Sequence, residues 1–207
     1  MEQDPLKGDH YRRVKKGGKA LLKDRGSKFY AQAFPASSGQ EAEALLQEMR
    51  ETHPNAGHHC YAYRTQPKAP VLRINDDGEP SHSAGSPIFH ALQSAGLWDT
   101  GVVVSRYFGG TKLGVSGLIQ AYRGAAEAAL AESSLEDAYL EELLELRFPY
   151  ELMAVAMKLL KEAPATIDDE QMGEDAGYQL RVRRSQVSAV IHTFEQRKGM
   201  IIKVLDT

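Results

Sequence analysis

Gly101-Val-Val-Val-Ser-Arg-Tyr-Phe-Gly-Gly-Thr-Lys-Leu-Gly114 is the stretch on which the fold turns. Three consecutive valines suit a strand covered on both faces, so residues 101–107 are predicted to be a buried strand. Behind the glycines, residues 118–130 are rich in alanine and leucine and predict a long helix. A strand that passes through a glycine-rich turn into a helix implies mixed α and β architecture, and the flanking residues extend it in both directions.

Upstream, residues 17–23 and 28–35 form two short runs around Asp24-Arg25-Gly26-Ser27, the pattern of a hairpin. Ser38 stands three residues before Glu41 in a capping-box spacing, and Ala42, Leu45, Leu46 and Met49 share one helical face, so a helix is expected to about His53, with Pro54 beyond. Residues 59–63 and 71–74 suit two more strands. After a polar loop, Ile88, Ala91, Leu92 and Ala95 mark a helix closed by Gly96. Downstream, residues 143–150 suit a strand, and Leu152, Val155, Ala156, Leu159 and Leu160 a helix ending near Pro164. Strands at 166–172 and 177–184, a helix through Val187, Val190, Ile191 and Phe194, and a strand at 200–205 complete a βαββαβ order. That is the split arrangement of a ferredoxin-like sandwich, with two helices on one face of an antiparallel sheet. The acidic residues 132–142 are expected to be a linker, dividing the chain into domains 1–137 and 138–207.

At 207 residues, 42% apolar and 26% charged, the chain has the make-up of an ordinary globular protein of one or two cores. Apolar runs such as 101–105 fall far short of the roughly 20 residues a membrane helix needs. The polar start, with Asp4, Lys7, Arg12 and Arg13, lacks an apolar signal region, so no secretory signal is expected. Cys60 is the only cysteine, which excludes an internal disulfide and favours a reducing cytoplasm. The net charge of −3 argues against wholesale wrapping of nucleic acid, but the charge is uneven. Residues 1–35 hold nine Lys or Arg against four acids, residues 127–145 hold seven acids and no base, and residues 176–207 hold six bases against two acids. Such segregation either steers the molecule toward a polyanion or makes solvated faces.

Two polar constellations carry the chemistry. Asn75-Asp76-Asp77-Gly78-Glu79-Pro80-Ser81-His82-Ser83 brings three carboxylates, two hydroxyls and an imidazole into one loop. Clustered carboxylates repel unless a cation joins them. Mg²⁺ would serve at this loop, although the spacing does not fit a calcium loop, and Arg106 or Lys112 would neutralise it equally well. Alternatively Asp76 and Asp77 form an Asx-rich turn and cap the following helix. The second constellation, Arg106-Tyr107-Phe108-Gly109-Gly110-Thr111-Lys112, lets backbone approach a ligand beside a helix N-terminus and a lysine, a cradle for phosphate or carboxylate. It is neither a P-loop nor a dinucleotide fingerprint. The plain packing alternative makes Arg106 the partner of Asp76 or Asp77. Five histidines (His53, His58, His59, His82 and His90) lie in the middle of the chain near Cys60, but one cysteine without a repeated ligand pair is poor zinc spacing, and no metal ligands are assigned. Strand alternation sends His58 and Cys60 to one face and His59, Tyr61 and Tyr63 to the other.

Together with Ala56-Gly57-His58-His59-Cys60-Tyr61-Ala62-Tyr63-Arg64, Gly26-Ser27-Lys28-Phe29, Ala33-Phe34-Pro35 and Ala121-Tyr122-Arg123, these motifs resemble the IMPACT and YigZ family, over residues 18–131. The βαββαβ tail is similar to the C-terminal domain of the bacterial YigZ-type members. The resemblance implies an α+β fold: an N-terminal domain like domain 2 of ribosomal protein S5, then a ferredoxin-like domain like domain V of elongation factor G. It also implies a translation-related role, since eukaryotic IMPACT acts in translational control; a counterpart of the N-terminal RWD domain of those members is not expected here. His82, Ser83, Ser86 and Ser116 depart from the family pattern, and the loss of a basic residue at 86 weakens an anion site there.

The expected function is that of a cytoplasmic regulatory protein that binds RNA or the ribosome through a glycine-rich, basic surface, with Arg106, Lys112 and the basic N-terminal segment on phosphates. Candidate ligand-binding residues are Asp76, Asp77, Glu79, Ser81, His82, Arg106, Tyr107, Gly109, Gly110 and Lys112, with no resident cofactor expected. A small hydrolase or phosphoryl-transfer enzyme using Asp76, Asp77 and Glu79 is the alternative, and the ferredoxin-like tail offers a further docking surface for a protein partner.

Overall fold

The computed structural model describes residues 8–65 and 67–205; Asp4 and Lys7 of the basic N-terminal segment lie outside the described residues. The chain divides into two compact units. One is Tyr11–Ala138 and the other joins residues 8–10 to 139–205.

In the first unit, β2 (Lys19–Asp24), β3 (Ser27–Pro35), β4 (His58–Thr65), β5 (Val71–Asn75) and β6 (Thr100–Tyr107) form one antiparallel sheet in the order β2-β3-β6-β4-β5. The valines sit on its central strand, and helices cover both faces. Val102 and Val104 face α2 (Gly85–Ser94) and α3 (Gly114–Ala131), together with Phe29, Ala31, Ala33, Cys60 and Ala62. Val103 faces α1 (Gly39–Thr52), with Phe34, Tyr63, Leu46 and Met49. Two-sided burial explains the unbroken apolar run in an antiparallel strand, since each pleat direction meets a helix.

α1 begins as its sequence predicts, with the Glu41 N–H donating to Ser38 Oγ at 3.2 Å and His53 closing the helix. The Glu41 carboxylate accepts chiefly from the amide and hydroxyl of Ser37, and also from the Ser38 amide as the capping-box spacing predicts. α3 starts at Gly114, a turn earlier than the alanine-rich run indicates. The acidic stretch 132–142 holds the division between the two units, between residues 138 and 139, but it is folded into strands. It contains β7 (Ser134–Tyr139), which pairs with β1 (His10–Lys16) in a two-stranded sheet, and the start of β8 (Glu141–Phe148). Its charges are used in that pairing, as the Arg13 Nε–H donates to Glu136 at 2.8 Å. Strand β1 escapes pattern reading because four of its seven residues are Arg or Lys, with Val14 alone fully buried.

The second unit is built from β8, α4 (Met153–Glu162), β9 (Ala165–Met172), β10 (Ala176–Arg183), α5 (Val187–Glu195) and β11 (Ile201–Val204). Its sheet order, β11-β8-β10-β9, is antiparallel throughout, which makes this the ferredoxin-like βαββαβ domain of an α+β protein. Leu144, Leu146, Phe148, Leu180 and Val182 pack against Ala156, Leu160, Val190 and Phe194 of the two helices. Among the described residues no helix is long and apolar enough to cross a membrane.

Candidate functional site

The two constellations meet, but through a single pair. The Arg106 guanidinium donates to Glu79 Oε1 at 2.6 Å, and the side chains are 8% and 4% exposed. The Tyr122 hydroxyl donates to the same carboxylate oxygen at 2.7 Å and receives the Cys60 S–H at 3.3 Å. Strand register explains the meeting. Arg106 lies opposite Phe29 on β3 and His58 on β4, so it points into the face covered by α2 and α3, where Tyr122 projects from α3. Burial pushes the Cys60 thiol up, and burial likewise pushes the Tyr122 phenol up, so both stay protonated and serve as donors. Buried Cys60 is thus an inert link rather than an activated nucleophile. The partner of Arg106 is Glu79, not Asp76 or Asp77. With its guanidinium enclosed between the rings of Phe29 and Phe108, at 5.5 and 5.6 Å, Arg106 supports the turn from beneath instead of contacting phosphates.

Asp76 and Asp77 are used on backbone amides. Asp76 Oδ1 accepts from the N–H of Ala84 at 3.0 Å and of Gly85 at 2.8 Å, and Oδ2 accepts from the N–H of His82 at 2.8 Å. The N-cap position of α2 is Ala84, which has no side-chain acceptor, so the carboxylate upstream in the chain takes the role that Ser38 plays for α1. The capping alternative therefore holds for Asp76. Asp77 Oδ2 accepts the His59 N–H at 2.6 Å, and its amide donates to Asn75 Oδ1 at 2.7 Å in an Asx turn. These bonds hold the loop to strand β4 and supply positive dipoles to the carboxylates. Among the described residues, no group of three or more His, Cys, Asp or Glu side chains is disposed to hold a metal ion. Ser81 and His82 lie at the exposed tip of the loop, His82 with a positive φ of 63° and its Nδ1 3.2 Å from Ser86 Oγ.

Gly109, Gly110 and Lys112 form an exposed turn between β6 and α3. Gly109 is required by a close approach: a Cβ there would fall 1.8 Å from the Gly26 carbonyl carbon. The Ser27 hydroxyl, fully buried, accepts the Gly109 N–H at 3.1 Å. The tip of the β2–β3 hairpin is thereby seated against the turn. A Cβ at Gly117, in the first turns of α3, would come within 2.9 Å of the Arg25 guanidinium, so Arg25 lies over the start of that helix. α3 has neither a side-chain cap nor an acidic residue in its first turn, and Phe108 is 59% exposed beside it.

Tyr107 belongs elsewhere. Alternation turns it to the α1 face, where its hydroxyl lies 3.2 Å from His53 Nδ1 and its ring meets Tyr30 edge-on at 5.6 Å. Tyr30, Tyr107 and Phe108, with Gly26 and Lys28, line an open cleft of about 450 Å³. Sequence reasoning passed over Tyr30, Lys28 and Phe108 as site residues. The signal was period-two alternation: Lys28 and Tyr107 are directly opposed across β3 and β6, two residues from Tyr30.

The Impact N-terminal domain family matches residues 25–130, half of the chain. The chain belongs to the IMPACT family. Its similarity to other members extends past that domain. It is 31% identical to IMPACT family member YvyE of Bacillus subtilis over 86% of this chain and 82% of that protein. It is 40% identical to an IMPACT family member of Thermus thermophilus over 75% and 84%. A crystal structure of a hypothetical protein superposes with a TM-score of 0.76 over 96% of this chain and 98% of that one, at 22% identity, and so shares the fold. The IMPACT family motifs quoted from the sequence thus divide by use: Glu79, Arg106 and Tyr122 form the buried support, and the residues from Phe108 to Lys112 form the exposed turn it carries.

Proposed function

We propose that this chain is a cytoplasmic, translation-related regulatory protein that binds RNA or the ribosome through the basic surface around its glycine-rich turn. IMPACT family membership supports the class, through the translational-control role that the resemblance implies. The observation that carries the binding mode is the clustering of Arg25, Lys112 and exposed backbone around Gly109 and Gly110, at the uncapped start of α3. Phosphate groups are recognised by cations and by unsatisfied N–H groups, and this turn offers both. Arg106 contributes indirectly, because the Glu79 pair fixes the strand end from which the turn departs.

A salt titration of binding to a structured RNA fragment tests the reading. Affinity should fall linearly with log salt, and Lys112→Ala and Arg25→Ala should each lower the slope by about one and weaken binding evenly across sequences. A flat salt profile, or no binding at low salt, would remove it.

A further inference from the structure

The α1 face of the N-terminal sheet is covered at one end only. α1 packs over Phe34, Val103 and Tyr63, and its C-terminal end reaches the half-buried Tyr30 and Tyr107 through His53, while Leu21, Lys23 and Lys28 beside them are left uncovered. The paired strands put these side chains in rows. Lys23 stands opposite Lys28 and Lys28 opposite Tyr107, while Leu21 stands opposite Tyr30. Two clefts open along this surface and share Tyr30: that of about 450 Å³ bounded by Phe108, and one of about 270 Å³ bounded by Lys19, Leu21 and His53. Phe108, 59% exposed, and Leu21, 45% exposed, put apolar area between lysines.

Lys19, Lys23 and Lys28 are exposed and, among the described residues, join no ion pair; between Lys19 and Gln32 the hairpin carries Lys19, Lys23, Arg25 and Lys28 against Asp24 alone. Burial and nearby Lys19 hold His53 below the ordinary histidine range, so its ring, 4.7 Å from Tyr30, is a neutral aromatic plate at neutral pH. Partly exposed rings bounded by unpaired lysines fit a strand with flat bases and a charged backbone. A rigid duplex offers phosphates but keeps its base faces stacked.

We propose that this uncovered sheet end is a binding site for single-stranded RNA, with bases stacked on Phe108, Tyr107 and Tyr30 and the backbone tracked by Lys28, Lys23 and Lys19. The proposal rests on the RNA reading above and deepens it, by naming the strandedness of the ligand and a stacking surface beside the phosphate-binding turn. Along β2, alternate residues are about 6.6 Å apart, so the lysine row spans a few nucleotides.

Fluorescence anisotropy with a labelled oligoribonucleotide of about ten nucleotides, and with the duplex of the same sequence, tests the proposal on the full chain. The single strand should bind at least about tenfold more tightly than the duplex, and Phe108→Ala and Tyr30→Leu should each weaken it by about five- to a hundredfold. Phe108 is exposed, and leucine preserves apolar bulk at Tyr30; circular dichroism checks that both variants remain folded. Equal binding of strand and duplex, or ring variants with unchanged affinity while Lys112→Ala still weakens binding, would overturn this proposal and leave the RNA reading standing. Absence of binding to either RNA would sink both.

Discussion

Arg106 on strand β6 and Glu79 on the polar loop form an ion pair at 2.6 Å from which solvent is almost wholly excluded, with Tyr122 donating to the same oxygen. Arg106 Nε is buried without a hydrogen-bond partner, so this guanidinium depends on Glu79 for its compensation. Removing one partner leaves a buried charge. Glu79→Ala is expected to destabilise the N-terminal unit by about 3–5 kcal/mol, measured by urea denaturation, and Tyr122→Phe by about 1–2 kcal/mol. Equal stability of Glu79→Ala and the parent protein would show that the pair is solvated in solution.

Asp76 satisfies three backbone amides at the entry to α2, whereas Ser38 satisfies one at the entry to α1. Asp76→Ala should therefore cost about 2–3 kcal/mol and Ser38→Ala about 1 kcal/mol. Amide exchange should speed up at His82, Ala84 and Gly85 in the Asp76 variant; unchanged protection there would refute the capping role.

Gly109 and Gly110 are adjacent but differ in what they need. At Gly109 a Cβ would enter the backbone of Gly26, while Gly110 has open space and a φ of 87°. Gly109→Ala should disrupt the seating of the hairpin and lower the melting temperature by many degrees. Gly110→Ala should cost only about 1 kcal/mol, the strain of a left-handed residue. Thermal melts that rank them in the opposite order would contradict the packing.

Two histidines make the N-terminal unit sensitive to mild acid. His53 is lowered from its ordinary 6.5 by burial and then by Lys19, and His59 by burial against the opposing pull of Asp77. Both bind protons less readily folded than unfolded. Their contribution is therefore fully retained above about pH 6.5 and is lost as the pH falls from there through the folded values. The melting temperature should drop between pH 7.5 and 5.5, and His53→Gln should lessen the drop. A melting temperature independent of pH over that interval would contradict this.

Pattern alone carried most of the elements. Ser38, the Val-Val-Val run and the apolar spacings of α2, α4 and α5 signal their structures locally, because caps, β-branching and helical periodicity act over a few residues. β1 and β7 were hidden for the opposite reason. Their basic and acidic residues look like solvated chain until Arg13 finds Glu136, 123 positions away.

The same boundary runs through the site. Residue types and spacing were enough to mark the acidic loop and the glycine-rich turn as exceptional, and to carry the family resemblance. Which carboxylate meets Arg106, that Asp76 caps a helix, and that Tyr107 leaves its neighbours for the opposite face with Tyr30 followed only from the assembled sheet. Pleat direction and cross-strand register turn sequence neighbours apart and bring distant residues together, and both are set by long-range pairing that no local window contains.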